Sequence, residues 1–444
     1  GTVGNGITFD PELNRIYLGT GNGGPYNPRV RSPGGGDNLF LASIVALDAD
    51  TGKYVWHYQV NPGESWDYKA TANMITATVT IDRRPRKVLM QAPTNGFFYV
   101  IDRETGKLIS AEKTGKVTWA ERIDLATGRP VEAPDIRYET GETIMWPSML
   151  GTHNWQDMSY NPLTGLVYIP YMHLGARYST NVKPGEFSFG GMTVNYHKAD
   201  AEDGTGAVLA WDPVAQRPRW KAPLETIWNG GTLSTAGNLV FHGAGDGWFT
   251  AYDATDGRRL WRFDAGLGIV GAPISYAVGD TQYVSVLVGY GGTTAALSGV
   301  LNAGWKYGAQ PRRLLTFALD GRESLPPSAP RDFTVNAVDD PSLVLDEKAV
   351  AEGRALSVMC IACHGADLVG AGSPGPDLRE SQLALSAESL WSVLHDGSLA
   401  PRGMPAFPML SRAQVNSLQA AIRAAARESL GTRKSGEQGG VPRL

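Results

Sequence analysis

The amino-acid sequence predicts a mainly β protein, a propeller of repeated strand–turn–strand units, followed by a smaller all-α domain. Three observations support this prediction. Residues 1–320 contain a degenerate repeat, the pattern becomes helical from about Leu345, and the composition combines 54 Gly with 12 Trp and 17 Tyr. Many short strands joined by glycine turns account for that composition better than a helical bundle does. A chain of 444 residues is also long enough for two or more domains.

The repeat joins two β-rich runs through a tight Asp-x-x-x-Gly turn, and the second run ends in an aromatic residue. Segments that show it are 46–56, 99–107, 209–212 and 251–261, and a second type of unit lies at 10–18 and 161–170. Units spaced by roughly 40 to 55 residues are typical of propeller blades. The longer interval between Asp102 and Asp212 has room for a blade plus loops. The alternative, an irregular β-sandwich, does not explain the repeated turn chemistry.

We predict that the propeller spans residues 1–320, a linker 321–344, the all-α domain 345–430 and a disordered tail 431–444. The segment Leu325-Pro326-Pro327-Ser328-Ala329-Pro330 cannot continue a strand ladder, which indicates a linker. Ser411 and Gln414 have the spacing of a capping box at the start of the last helix. The apolar face of that helix is then marked by Val415, Leu418, Ile422 and Ala425.

Charge and hydropathy limit the classes of partner that the sequence supports. The formal net charge of −4 gives no reason to expect a nucleic acid or an anionic membrane surface. No run of 18 apolar residues occurs, so the sequence predicts no transmembrane segment. The chain begins at Gly1 without a charged and apolar leader, and it opens within a strand-like pattern. We interpret this start as an amino-terminal truncation.

Cys360-Ile361-Ala362-Cys363-His364 has the spacing C-x-x-C-H, which predicts covalent attachment of a c-type haem. The two thiols add to the vinyl groups of the porphyrin, and the His364 imidazole binds the iron. A C-x-x-C pair alone also occurs in redox dithiols and in zinc sites. A zinc site needs a second cysteine pair, which this chain with 2 Cys lacks, and a redox dithiol needs a flanking βαβ pattern. The all-α domain is therefore predicted to be a cytochrome c domain.

Met404 is the predicted sixth ligand of this haem. It lies in the loop Arg402-Gly403-Met404-Pro405, with Phe407 behind it. A thioether ligand raises the reduction potential of the iron and suits electron transfer. Met409 is the rival ligand and is expected at the start of the last helix. Two further residues are assigned structural roles rather than haem ligation, packing for Met359 and a surface helix end for His395.

Three polar loops in residues 1–320 are candidate sites. Asn22 lies in a glycine-rich loop, which allows the backbone to approach a flat ligand or an ion closely. Asp67 lies between Trp66 and Tyr68, and the segment 153–156 places an amide beside an indole. The first two loops also have structural explanations, a blade-to-blade turn and a turn-capping aspartate.

Together with the repeat and the haem motif, these loops resemble the quinohaemoprotein alcohol dehydrogenases that depend on pyrroloquinoline quinone (PQQ). The resemblance covers nearly the whole chain and is most specific at 31–40, 48–68, 95–100 and 228–231. It implies an eight-bladed propeller with PQQ and Ca²⁺ near its axis, of which roughly five blades lie in this chain. The residue roles that it implies are metal ligands at Asn22 and Asp67, the general base at Asp67, cofactor contacts at Asn154, Trp155 and Thr94, and pocket lining at Trp228 and Asn229.

Two positions differ from the family pattern. Thr94 stands where these enzymes usually carry Lys or Arg near the quinone carbonyls, and a neutral hydroxyl stabilises developing negative charge less well. Lys69 stands two residues after Asp67, where lanthanide-using relatives carry Asp, and this favours calcium. We hypothesise that Lys69 partly replaces the missing cation.

The resemblance implies an enzyme that oxidises alcohols to aldehydes or ketones by hydride transfer to PQQ. Electrons are then expected to pass to the haem of the same chain and on to an external redox protein or a membrane-associated redox subunit. Haem attachment and PQQ use both predict a bacterial periplasm. Two alternatives remain open, a non-catalytic propeller fused to an electron-carrying cytochrome and a related dehydrogenase of aldehydes or polymeric alcohols.

Overall fold

The computed structural model describes residues 1–182, 191–289, 311–326, 334–365, 368–370, 373 and 375–434. The described residues divide into two compact units, and the boundary between them along the chain lies between Arg322 and Glu323. Residues 327–333 of the predicted linker and 435–444 of the predicted tail lie outside the described residues.

The first unit is built from short strands. In chain order they are β1 (Thr8–Asp10), β2 (Arg15–Gly19), β3 (Ser43–Asp48), β4 (Tyr54–Gln59), β5 (Ile75–Ile81), β6 (Arg84–Gln91), β7 (Phe97–Asp102), β8 (Leu108–Lys113), β9 (Ala120–Asp124), β10 (Arg129–Glu132), β11 (Glu142–Met145), β12 (Ser159–Asn161), β13 (Leu166–His173), β14 (Gly175–Ser179), β15 (Thr193–His197), β16 (Thr205–Asp212), β17 (Arg217–Leu224), β18 (Thr232–Ser234), β19 (Leu239–Gly243), β20 (Trp248–Asp253), β21 (Arg259–Asp264), β22 (Ile274–Val278), β23 (Thr281–Val288) and β24 (Arg313–Ala318).

These strands form five antiparallel sheets of the blade type, in agreement with the predicted five blades. Four have four strands each, β1–β4, β5–β8, β12-β13-β16-β17 and β18–β21, and the fifth contains β22–β24. The long interval between Asp102 and Asp212 holds β8 of the second blade, three strands of the third blade (β12, β13 and β16) and the small sheets β9-β10 and β11-β14-β15. The predicted mainly β fold of this part of the chain is therefore confirmed.

The predicted Asp-x-x-x-Gly turns close the outer strand pairs. Asp48 accepts hydrogen bonds from the backbone N–H of Thr51 at 2.9 Å and from its hydroxyl at 2.6 Å. Gly52 follows at φ +68°, a left-handed conformation that favours glycine. The same arrangement recurs at Asp102, Thr105 and Gly106.

In two blades an aromatic residue of the outer strand contacts the turn of the next blade. Trp56 of β4 donates its indole N–H to the Arg103 carbonyl at 3.2 Å and covers Gly106, where an added Cβ would lie 2.7 Å from the indole. Trp220 of β17, in the third blade, covers Gly257 of the fourth blade in the same way. The repeat therefore encodes blade-to-blade packing as well as a turn.

The helices are α1 (Pro28–Arg31) in the first unit and α2 (Glu347–Leu356), α3 (Ile361–His364), α4 (Ala387–Leu394) and α5 (Arg412–Lys434) in the second. The second unit has its own apolar core, which includes Leu390, Val415, Leu418 and Ile422. An added Cβ at Gly353 of α2 would meet the Ser417 carbonyl of α5, so glycine permits the close packing of these two helices. The predicted all-α character of this domain is confirmed.

Helix α5 begins as predicted and ends later than predicted. Ser411 Oγ accepts from the Gln414 N–H at 3.3 Å and Gln414 Oε1 from the Ser411 N–H at 2.9 Å, which is the capping box. The helix continues to Lys434, so residues 431–434 are helical rather than part of a tail. No helix in the described ranges is long and apolar enough to cross a membrane.

Part of the predicted linker 321–344 packs on the all-α domain. The fully buried Arg423 of α5 donates to the carbonyls of Val338 and Leu378. Arg427 pairs with Asp339 at 2.7 Å. The proline-rich composition nearby predicted a linker but gave no sign of these two arginine contacts.

Candidate catalytic and haem sites

Asp67 lies in the loop of residues 60–74 between β4 and β5, in a left-handed conformation at φ +66°. Its carboxylate is 5% exposed, lies 3.7 Å from the Lys69 ammonium and is hydrogen-bonded to the Tyr26 side chain. Burial raises the pKa of Asp67, and Lys69 and Tyr26 oppose that rise. A buried carboxylate with a raised pKa is suited to accept a proton.

In the structure, Asn22 and Asp67 both hydrogen-bond the side chain of Tyr26. Asn22 donates from Nδ2 to the Tyr26 hydroxyl at 3.0 Å, and Tyr26 also hydrogen-bonds Asp67. Burial raises the pKa of Tyr26, so its hydroxyl stays protonated. With the amide nitrogen of Asn22 used in this way, its carbonyl oxygen and the Asp67 carboxylate are the two oxygen donors of the site. Such donors fit a hard cation.

Glu64 is a site residue that the sequence analysis missed. It is fully buried, and its Oε1 accepts from the backbone N–H groups of Trp66 at 2.6 Å and Tyr68 at 2.8 Å, on both sides of Asp67. Its other oxygen has no hydrogen-bond partner in the described residues. Burial, with a contribution from the neighbouring Asp67, raises the pKa of Glu64 to about 8. The sequence signal was a second carboxylate three residues before Asp67.

The two aromatic neighbours of Asp67 have structural roles. Trp66 and Tyr68 are fully buried, and both pack on Trp119 with ring centroids 5.5 and 5.7 Å apart. The Tyr68 hydroxyl donates to the Pro147 carbonyl at 2.7 Å, and the Arg137 guanidinium lies 4.4 Å from the Trp66 ring centre. These contacts fix the loop that carries Asp67.

Thr94 lies beside the Asp67 loop. Its side chain is buried, and its hydroxyl accepts from the Lys69 N–H at 2.8 Å and donates to the Lys69 carbonyl at 3.3 Å. The predicted cofactor contact at Thr94 stays a prediction. The contact that the structure gives this hydroxyl is with the backbone of Lys69.

The loop of residues 148–157 is the third part of the site. It packs on Thr94, because an added Cβ at Gly151 would lie 2.6 Å from the Thr94 Cα. Asn154 donates to the Leu150 carbonyl at 2.9 Å, and no hydrogen bond or ion pair joins it to Asp67 in the described part of the chain. The cofactor roles of Asn154 and Trp155 stay predictions.

Trp155 meets Trp228 edge to face, with ring centroids 6.0 Å apart. The Trp228 indole N–H is buried and has no partner in the described residues, and this donor and the indole pair fit a flat, polar ligand. The neighbouring Asn229 is occupied within its own loop. It accepts from the Gly245 N–H at 2.8 Å and donates to the Thr226 carbonyl at 2.6 Å.

The C-x-x-C-H motif spans the junction of a short 3-10 turn and α3. Cys360 and Cys363 are free thiols, and burial, with a contribution from Cys363, raises the pKa of Cys360 to about 11. The buried His364 ring lies with Nδ1 2.7 Å from the Pro376 carbonyl, so Nδ1–H donates there and Nε2 remains for a metal. The residues present therefore fit a covalently attached haem.

Met404 and Met409 differ in their surroundings. Met404 is half-buried against the apolar core of the cytochrome domain, as is Phe407. Met409 is 72% exposed and precedes α5 by three residues instead of starting it. Met359 is 41% exposed, and its packing role stays a prediction. His395 caps the end of α4 at the surface, as expected, and stacks on Trp391.

Two protein-family models match the chain. The β-propeller domain of glucose, ethanol and alcohol dehydrogenases matches residues 3–118 and 191–284, and subunit III of cbb3-type cytochrome c oxidase matches residues 349–420. The quinohemoprotein alcohol dehydrogenase ADH IIB of Pseudomonas putida is 50% identical over 411 residues, which cover 92% of this chain and 59% of the relative.

Two solved structures share the fold. Quinohemoprotein alcohol dehydrogenase ADHIIG from Pseudomonas putida superposes with a TM-score of 0.85 at 40% identity, covering 98% of this chain and 66% of that one. The enzyme from Comamonas testosteroni gives 0.79 at 39% identity, covering 96% and 64%. The chain belongs to the quinohaemoprotein alcohol dehydrogenase family. It spans about three fifths of the length of the curated family members that it matches, 59% of the Pseudomonas putida relative.

Proposed function

We propose that the protein acts as a periplasmic quinohaemoprotein that oxidises alcohols to aldehydes or ketones with PQQ, Ca²⁺ and haem c. The observation that carries this proposal is the buried Asp67, joined through Tyr26 to Asn22, in a chain that also contains the C-x-x-C-H motif. The family supports the same assignment, since its curated members are named as quinohaemoprotein alcohol dehydrogenases.

The cation site consists of the carbonyl oxygen of Asn22 and the carboxylate of Asp67. Calcium is the hard cation that we assign to these oxygen ligands. Position 69 carries Lys instead of a further carboxylate, which disfavours the more highly charged lanthanide ions. Asn154, Trp155 and Trp228 are assigned to the binding of PQQ, the indoles through their faces and the Trp228 N–H as a donor.

Asp67 accepts the proton of the alcohol hydroxyl in this reaction. When bound, PQQ supplies a two-electron acceptor that takes the hydride from the alcohol carbon. The O–H and C–H bonds of the alcohol break, and a carbonyl forms. Burial of Asp67 keeps its carboxylate poorly solvated, which makes it a stronger base than an exposed aspartate.

His364 and Met404 would hold the haem iron in the second unit, and a bound haem c would supply a one-electron acceptor. A methionine ligand raises the reduction potential, which favours acceptance of electrons from a donor. The electron acceptor for that haem would be an external redox protein or a membrane-associated redox subunit. Haem attachment through thiols supports the periplasmic assignment.

Asp67→Asn tests the catalytic part of this proposal. In the PQQ- and Ca²⁺-loaded protein with its haem attached, the rate of haem reduction at 550 nm after addition of a primary alcohol should fall about 10³-fold, because the base is lost. The exposed Asp50→Asn serves as the control and should leave the rate unchanged. A native protein whose haem stays oxidised with alcohol would instead support the non-catalytic alternative. Faster reduction with aldehydes would reassign the substrate.

A further inference from the structure

Lys69 provides a positive charge at the candidate catalytic site. Its ammonium lies 3.7 Å from the Asp67 carboxylate, and its side chain is 24% exposed. This is the ion pair that the described residues give Asp67. Since Asp67 itself is nearly fully buried, the pair lies where water screens charge weakly.

The backbone around Lys69 is held by two other loops and by the end of β6. Thr94 makes two hydrogen bonds to the Lys69 amide and carbonyl through its hydroxyl, and its own N–H donates to the same carbonyl at 3.3 Å. Ala70 donates its N–H to the Thr20 carbonyl at 3.0 Å, and Gln91 donates to the Ala70 carbonyl at 2.7 Å. The starting point of the Lys69 side chain is therefore fixed by several contacts.

Two other cations near the loop are bound elsewhere. Arg31 donates to the Asn38 side chain and to the carbonyls of Pro25, Tyr26 and Glu64. Arg137 pairs with Glu132 and Glu139 and stacks on Trp66. Both guanidinium groups are thus held by partners other than Asp67.

We propose that Lys69 supplies the fixed positive charge of the quinone site and that Thr94 positions it. This inference rests on the proposed function and deepens it. It gives Thr94 a role that a neutral hydroxyl can perform, because the hydrogen bonds of Thr94 bind the segment that carries the charge. In this interpretation, position 69 carries the positive charge that the family pattern places at position 94.

The charge balance of the reaction explains the use of Lys69. The proton of the alcohol neutralises Asp67, and the hydride carries one negative charge to the electron acceptor. The Lys69 ammonium, 3.7 Å from the Asp67 carboxylate, stabilises the negative charge on Asp67 before the transfer, and it would stabilise negative charge that develops on a bound electron acceptor. A fixed charge in a poorly solvated site requires little rearrangement at the moment of reaction.

The experiment moves the charge between the two positions. Four variants are prepared with haem attached. They are Lys69→Thr, Lys69→Arg, the double variant Lys69→Thr with Thr94→Lys, and the control Lys107→Thr at an exposed turn. The dissociation constant of PQQ is measured by tryptophan fluorescence with Ca²⁺ present, and kcat and KM by alcohol-dependent haem reduction. Circular dichroism and the haem spectrum check the fold of each variant.

Lys69→Thr is expected to weaken PQQ binding about ten-fold and to lower kcat about ten- to hundred-fold. Lys69→Arg should stay within a few-fold of the native protein, and the double variant should recover most of what Lys69→Thr loses. Unchanged PQQ affinity and kcat in Lys69→Thr would overturn the proposal, and so would a double variant no better than the single one.

If the native protein binds PQQ but oxidises no alcohol, the proposed function fails. The affinity difference between native and Lys69→Thr protein still tests the charge of Lys69.

Discussion

The haem site and the quinone site differ in how the chain builds them. The residues predicted to attach and ligate haem, Cys360, Cys363 and His364, lie close together on one segment of chain, and their spacing alone places them together. The proposed quinone site draws on separate loops between Asn22 and Trp228, and the Tyr26 bridge joins two of its residues, Asn22 and Asp67. A local site is therefore fixed by covalent spacing, whereas a distributed site depends on residues that support its loops.

Removal of both haem thiols gives the largest expected effect. The variant Cys360→Ala with Cys363→Ala should lose covalent haem completely, because these are the only two cysteines. A haem stain after a denaturing gel measures this. Met359→Leu, at an exposed position next to the motif, should keep the haem. Covalent haem in the double variant would show that the haem is attached through residues outside the C-x-x-C-H motif.

The two methionines test the one haem ligand that lies outside the local motif. Met404→Leu should lower the reduction potential of the haem by on the order of 0.1 V, because a thioether ligand raises it. Met409→Leu should leave the potential unchanged, since Met409 is 72% exposed. Spectroelectrochemical titration distinguishes the two. The opposite result would assign the sixth position to Met409.

The sequence predicted what depends on neighbours along the chain. The Asp48 turn, the capping box at Ser411 and the C-x-x-C-H motif are all short patterns whose geometry is set within a few residues. It did not predict Glu64 or the Thr94–Lys69 hydrogen bonds, because these depend on which distant loops meet. The family resemblance placed Asn22 and Asp67 in one site, but only the structure identified Tyr26 as their link.

Two glycines at equivalent turns of the blade repeat differ in their contacts with the preceding blade. Gly52 and Gly106 both have positive φ, but only an added Cβ at Gly106 would meet Trp56 of the preceding blade. Gly52→Ala should cost about 1 kcal/mol of unfolding free energy, from backbone strain alone. Gly106→Ala should cost about 3 kcal/mol, because overpacking is added. Chemical denaturation measures both, and equal losses would mean that the Trp56 contact contributes nothing.

The pH dependence of stability at Glu64 tests how the distributed site is supported. Its pKa is raised to about 8 in the folded protein, against 4.5 for an ordinary glutamate. Between these values the folded state holds a proton that the unfolded state has lost, so stability falls as pH rises through this window, by at most about 1.4 kcal/mol for each pH unit. Glu64→Gln keeps an oxygen for the N–H groups of Trp66 and Tyr68 but cannot ionise. The Tm of this variant should therefore fall less than that of the native protein between pH 5.5 and 7.5. Parallel Tm profiles would show that Glu64 is ionised in the fold, with its charge stabilised by the amides around Asp67.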